Sequence, residues 1–263
     1  MAKFYPLASS SKGNCTYIGT QQHGILIDVG IGPRVLKTAF SLGGFEPSAV
    51  RAVFVTHEHS DHVKGLCRFT EQYDVPVYGS RETLEELIRK DCVASHTKLY
   101  EINRHTVEVA DMEVRAFTTS HDSVHSLGYH IRTPEDKAIG FCTDLGVVTP
   151  EVQEHLEGCS LVMLESNYDR EMLRYGIYPP YLKRRIASDT GHLSNDACAA
   201  EAARLAKKGN VRFVLGHLSE ENNRPELALQ QTVATLEETG MHLGEDYTVW
   251  VAPKTSMGAS CDV

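Results

Sequence analysis

An α/β fold is predicted for this 263-residue chain. Three observations predict it. Short apolar runs alternate with amphipathic stretches from end to end. Gly and Pro punctuate the boundaries. Three of the apolar runs finish directly in His or Asp, as strands do when they deliver side chains to one sheet edge.

Taken in order, the expected strands are residues 24–29 (GILIDV), 52–56 (AVFVT), 114–119, 138–142, 161–164, 211–215 and 248–252. Each is a four- to six-residue run rich in β-branched or aromatic residues. Helices are expected over 81–89, 150–156, 195–208 and 225–238. Pro150 and Pro225 sit where a helix tolerates a missing N–H, and Gly209 and Gly240 stand where a helix ends. No tandem repeat, low-complexity stretch or linker divides the chain, so one domain over 1–263 is expected.

Composition narrows the function classes. With 41% apolar and 23% charged residues the chain has ample material for a core. A net charge of -9 excludes attraction of nucleic acid by a global positive field, though not by a local basic site. Seven scattered cysteines without a CxxC pair suit free thiols in a reducing cytosol. The N-terminal stretch meets Ser9-Ser10-Ser11-Lys12 before an export-signal core can form. No apolar run approaches the ~20 residues of a membrane span. A cytoplasmic protein without a membrane partner is expected.

The chemistry is concentrated in Thr56-His57-Glu58-His59-Ser60-Asp61-His62, directly after the 52–56 run. His57 and His59, one residue apart in an extended loop, reach the same ion, and Asp61 and His62 turn toward a second. Imidazole plus carboxylate suits Zn, Mn or Fe rather than Ca.

This HxHxDH run after an apolar strand resembles the signature of the metallo-β-lactamase superfamily, and later elements follow in order: His121 in Thr119-Ser120-His121-Asp122, Asp144 in Phe141-Cys142-Thr143-Asp144, and His217 in Leu215-Gly216-His217-Leu218-Ser219. The resemblance implies an αββα sandwich of two mixed β-sheets flanked by helices. It implies one metal on His57, His59, His121 and Asp144, and a second on Asp61, His62, His217 and the bridging Asp144, with Asp61 also catalytic. It does not choose among thioesters, lactams and phosphodiesters.

Two further residues point to phosphodiesters. Gly191-His192-Leu193-Ser194-Asn195 opens the 195–208 helix, with Ser194 or Asn195 as its cap and His192 projecting just before it. In the phosphodiesterase branch, tRNA-maturation nucleases carry a similar His, thought to protonate the leaving oxygen and to be oriented by a Glu after an earlier strand. Glu165 stands at the matching place. A P–O bond needs such an acid, because an alkoxide leaves poorly unprotonated. The chain is similar to compact bacterial YycJ/WalJ-type proteins through Ala8–Asn14, Leu26–Gly30, THEHSDH, GHLSN and His217–Asn223. That similarity implies 5′-to-3′ exonuclease action on DNA, in repair or replication. No room is found for the large inserted domain of mRNA-processing relatives. The alternatives are a ribonuclease, or hydrolysis of small (cyclic) phosphodiesters or other small esters at the same site.

From Arg170 to Arg185, five bases face one acid, a net of +4, interleaved with Tyr175, Tyr178 and Tyr181. Lys183, Arg184 and Arg185 are candidate phosphate contacts and the tyrosines candidate stacking surfaces, against the reading of a solvated loop. Ser10, Ser11 and Asn14 lie in a Gly-containing turn that offers donors to a phosphate. Asp28 is either a carboxylate bracing the metal loop or a turn former. His23, His96, His105, His125, His130, His155 and His242 are read as surface or structural, with His125 notable for its nearness to His121.

Overall fold

The computed structural model describes residues 1–103, 105–209, 211–256 and 258–263. In chain order the first part lays down β1 (Lys3–Ala8), β2 (Cys15–Gly19), β3 (Gly24–Ile27), α1 (Pro33–Gly43), β4 (Val50–Phe54), α2 (Ser60–Val63), α3 (Leu66–Gln72), β5 (Val77–Gly79), α4 (Arg81–Arg89) and β6 (Leu99–Glu101). Then come β7 (Val107–Val109), β8 (Met112–Thr118), β9 (Leu127–Arg132), β10 (Ala138–Cys142), α5 (Pro150–Leu156), β11 (Leu161–Glu165), α6 (Arg170–Tyr175) and α7 (Pro180–Ile186). The chain ends with α8 (Asn195–Ala206), β12 (Val211–Gly216), α9 (Pro225–Glu238), β13 (Tyr247–Val251) and β14 (Cys261–Asp262).

Two mixed sheets result, in the orders β14-β1-β2-β3-β4-β5-β6 and β13-β12-β11-β10-β9-β8-β7. In each, an antiparallel part passes into a parallel run: β3 to β6 in the first sheet, β10 to β13 in the second. The parallel strands read as near-continuous apolar runs because both faces are covered. Alternation decides what each face meets. Ile25, Ile27, Ala52 and Phe54 pack between the sheets against Tyr129, Phe141, Leu161 and Met163. Leu26 and Val53 point outward, under Leu36 and Phe40 of α1. In the second sheet Val162 and Leu164 face outward onto Val152 of α5 and Ala202 of α8. The four layers are helix, sheet, sheet, helix, as expected.

Helices 81–89, 150–156 and 225–238 have the expected bounds, and the first two are capped by Ser80 and Thr149, which accept from Thr83 N and Val152 N. The 195–208 helix stops at Ala206, and Ser194 is its cap. The 24–29 strand stops at Ile27, because Asp28 adopts φ 59° and leaves the ladder. Strands β1, β2 and β9 and helix α1 were not anticipated, although Pro33 and Gly44 (φ 72°) bracket α1. The open loop considered for 170–185 is replaced by the helices α6 and α7. Among the described residues no helix is long and apolar enough to cross a membrane.

Candidate metal centre

The carboxyl ends of β3, β4, β10, β11 and β12 converge on one crevice between the sheets, the usual place for a site on parallel strands. Asp28, Asp144 and His217, each one or two residues past its strand, have φ of 59°, 57° and 54°. Left-handed backbone is uncommon outside Gly and costs about 1 kcal/mol or more, so it persists only where the surroundings enforce it. Here three such turns lie at one site. The 57–62 loop is clamped from below: Asn14 N donates to Asp61 O (2.8 Å) and Gly30 N to Asn14 O (2.7 Å). A Cβ at Gly30 would lie 1.6 Å from Asp61 O, so no side chain fits.

The seven residues expected as ligands come together. Donor atoms of His57, His59 and His121 lie within 4.8 Å of one another, as do those of Asp61, His62 and His217, and those of His57, His62 and Asp144. Asp144 is central: Oδ2 is 3.3 Å from His62 Nε2, and Oδ1 is 3.5 Å from His217 Nε2 and 3.7 Å from His121 Nε2. His59 Nδ1 and His121 Nε2 face each other at 3.3 Å. His57 Nε2 and Asp144 Oδ2 are buried and make no hydrogen bond among the described residues. Orphaned buried acceptors of this kind are costly unless a ligand completes them. The donor set therefore fits a divalent metal.

The outer nitrogens are held by protein. Asp28 accepts from Thr56 N (2.8 Å) through Oδ1, and through Oδ2 from Thr56 Oγ1 (2.9 Å) and His62 Nδ1 (2.7 Å). Thr56 Oγ1 in turn accepts from His57 Nδ1 at 3.0 Å. His121 Nδ1 donates to Gly191 O (2.9 Å). Glu165 Oε1 takes both His217 Nδ1 and His192 Nδ1, each at 2.8 Å, while Oε2 accepts from Leu145 N (3.0 Å) and Leu193 N (3.1 Å). Fixing Nδ1 fixes tautomer and ring plane and leaves Nε2 for the centre.

The electrostatics agree. Burial lowers His217, but Asp144, Asp61 and Glu165 outweigh it and push the imidazole up to about 10. His62 behaves likewise: burial is overcome by Asp144 and Asp28, and its pKa rises. Burial and the neighbouring imidazoles His62, His121 and His59 drive His57 down. The half of the crevice around His62 and His217, lined by carboxylates, therefore attracts positive charge, while burial disfavours a proton on His57 and His59.

The expected substrate residues divide. Asn14 reaches the centre: Ser10 N and Ser10 O fix its carboxamide at 3.1 and 2.9 Å, and Nδ2 lies 3.1 Å from His62 Nε2 and 3.4 Å from Asp61 Oδ2. The Ser10 hydroxyl is buried and accepts from Lys12 N (3.2 Å), whereas Ser11 is exposed. Arg185 is bound to Asp122 at 2.5 and 2.9 Å, Lys183 Nζ donates to Arg174 O (2.8 Å), and Arg184 is exposed. His125 faces Glu82 (3.0 Å), outside the cluster. Asp28 proves to be both brace and turn.

Sequence reading missed Thr56, the Gly191 carbonyl and the amide pair Asn195–Asn223. Those two exchange bonds of 2.9 and 2.8 Å, Ser166 Oγ joins at 2.7 Å, and Asn223 Nδ2 holds the carbonyls of Ser166 and Asn167. Asn167 Nδ2 donates to His217 O at 2.8 Å. The signal lay in GHLSN and SEENN, whose polar residues are too many for simple turns.

Comparison with known proteins gives a matching family model, the beta-lactamase superfamily domain, over residues 23–218. The chain is 34% identical to exodeoxyribonuclease YycJ of Bacillus anthracis, covering 94% of this chain and 93% of that protein. It is 31% identical to exodeoxyribonuclease WalJ of Streptococcus pneumoniae, covering 97% and 96%. Among solved structures, the metallo-β-lactamase fold protein YhfI of Bacillus subtilis superposes with a TM-score of 0.72 at 16% identity, covering 97% of this chain and 98% of that one. Zn-bound PqqB of Methylobacterium extorquens gives 0.72 at 16%, covering 99% and 100%. Sixteen per cent identity speaks to the fold alone.

Proposed function

This chain belongs to the β-lactamase superfamily, and from that premise we propose that it is a dinuclear-metal phosphodiesterase of the cytoplasm, a 5′-to-3′ exonuclease acting on DNA in repair or replication. The observation that carries the reading is the pair of 2.8 Å bonds from Glu165 Oε1 to His217 and His192. They join a metal-facing imidazole to one that is not part of the ligand set. The two exodeoxyribonuclease relatives support DNA as substrate, and the free thiols fit a reducing compartment.

In this reading His57, His59, His121 and Asp144 hold one cation, and Asp61, His62, His217 and Asp144 the other; Zn, Mn and Fe all suit the donors. When bound, the pair supplies Lewis-acid activation of water and neutralises phosphodiester charge. The protein does the rest. His192, whose side chain is 16% exposed at the mouth, donates through Nδ1 to Glu165, which leaves Nε2 as the atom that would hand a proton to the leaving oxygen. Burial raises the Glu165 carboxyl, but His192 and His217 overrule it and hold it well below the usual carboxylate range. The ionised Glu165 accepts from His192 Nδ1 and so fixes the ring from which the leaving oxygen would be protonated. Asn14 offers its Nδ2 to a phosphate oxygen beside Asp61. Ser11, Lys183 and Arg184 steer the flanking phosphates, since Arg185 is held by Asp122 and the Ser10 hydroxyl is buried. One domain, 1–263, suffices for this.

The deciding assay uses 5′- and 3′-labelled DNA and RNA, single- and double-stranded, with Mn or Zn. Mononucleotides should leave 5′ ends of DNA, and Asp61→Ala should abolish their release. Cleavage of RNA alone, or of small diesters alone, replaces the proposal with one of the alternatives. His192→Ala should slow DNA cleavage by about 10²–10⁴-fold with metal content retained; loss of metal would remove His192 from its role as acid.

A further inference from the structure

The helices α6 and α7 stand beside the crevice and carry an uncovered apolar tip. Ile177 is 86% exposed, Tyr175 73% and Tyr181 68%. The tip is not slack chain. Leu173 and Ile186 pack with Tyr168 in a small core of their own, with Tyr178 and Leu182 against it, and Lys183 Nζ ties α7 to Arg174 O. Two anchors set this unit over the site. A Cβ at Gly176 would lie 2.7 Å from Asn222 Oδ1, so the turn between the helices rests on the loop that follows His217. At its other end Arg185 grips Asp122, the neighbour of His121.

The charges of this segment change the meaning of its +4. Arg170 is paired with Asp196 (2.9 Å), Arg174 with Glu171 (4.0 Å) and Arg185 with Asp122. Among the described residues, Lys183 and Arg184 are the bases of this segment without a carboxylate partner. Two cations without a carboxylate partner, two exposed aromatic rings (one face of Tyr175 lying under the Arg174 guanidinium at 5.2 Å) and an aliphatic tip match a phosphate backbone that also bares its bases. Single-stranded nucleic acid does this and duplex does not.

We infer that the α6–α7 tip is a stacking platform for unpaired bases of a single-stranded DNA end. Tyr175, Ile177 and Tyr181 receive the bases, and Lys183 and Arg184 the phosphates between them. The inference rests on the nuclease reading above. It makes grip depend on base contact more than on charge, which suits a chain of -9, and it predicts preference for single-stranded ends over blunt duplex.

The test is the triple variant Tyr175→Ser/Ile177→Ser/Tyr181→Ser, assayed on a single-stranded oligonucleotide and on bis(p-nitrophenyl) phosphate, which carries no flanking nucleotides. The KM for DNA should rise at least tenfold, while kcat/KM for the small diester stays within about twofold. Quenching of a terminal 2-aminopurine by the metal-free protein should be lost in the variant. An unchanged KM for DNA overturns the inference, and so does an equal loss on both substrates, which would mean that the tip shapes the crevice. A drop in solution mass from dimer to monomer with the KM for DNA intact overturns it too, since a second copy would then cover the tip. Unsubstituted enzyme that cleaves the small diester but no DNA takes down the nuclease reading itself, before the variant is needed.

Discussion

Asp28, just past β3, and Glu165, at the end of β11, are buried carboxylates on opposite sheets, and each holds the Nδ1 of an imidazole of the candidate metal centre. Asp28 holds His62 at 2.7 Å and Glu165 holds His217 at 2.8 Å. The remaining partner of Asp28 is Thr56, itself buried. The same oxygen of Glu165 also holds His192 at the mouth. The consequence appears in their ionisation. Burial wins at Asp28, whose carboxyl is raised despite His62 and Thr56; burial loses at Glu165 against His192 and His217. One brace ends inside the protein and the other continues to the solvent edge. In the proposed function the first brace is purely positional and the second couples metal binding to proton delivery, and its second imidazole makes the difference.

Three substitutions can break this comparison. The largest effect is expected from Glu165→Gln, which replaces an anion shared by two imidazoles: kcat/KM on DNA should fall about 10³-fold, with a changed pH–rate profile because His192 loses its counter-charge. If Glu165→Gln costs only metal affinity, the coupling through Oε1 is not real. Next is Asp28→Asn, expected to weaken metal binding about 10–100-fold while the pH–rate profile of the reloaded enzyme keeps its shape. Metal titration followed by a pH series at saturation reads both. A shifted profile in Asp28→Asn would make the two braces equivalent. The smallest is Arg185→Met. Its pair with Asp122 is partly exposed, so stability should drop by about 0.2–1 kcal/mol and the KM for DNA should rise a few-fold. Thermal unfolding and steady-state kinetics measure each part.

Legibility in the sequence followed how local the signal was. His57, His59, Asp61 and His62 announce themselves within six residues, and His121, Asp144 and His217 each follow an apolar run. Helices 81–89, 150–156 and 225–238 were readable to the residue because caps and Pro positions are local chemistry. Strands β1 and β9 were not, since PLA in the one and LGYHIR in the other give weak alternation, and sheet neighbours override propensity. Of the two cap candidates, Ser194 caps the helix and Asn195 pairs with Asn223, 28 residues away, a contact no local rule anticipates.

Residue type and order by themselves determined the fold class and brought the seven candidate ligands to notice, because a cation accepts few kinds of side chain and strand ends expose them in sequence. Resemblance in the sequence already sets Glu165 beside His192; only the tertiary structure decided that Glu165 also serves His217 and that Asp28 serves His62. It also decided that Arg185 is spent on Asp122 and that Tyr175, Ile177 and Tyr181 stand uncovered. The physical reason is that pairing and exposure depend on the register of strands far apart in the chain. His62 and Asp28 are 34 residues apart and His217 and Glu165 52, and they meet only when β3 and β4, and β11 and β12, pair as neighbours in their sheets.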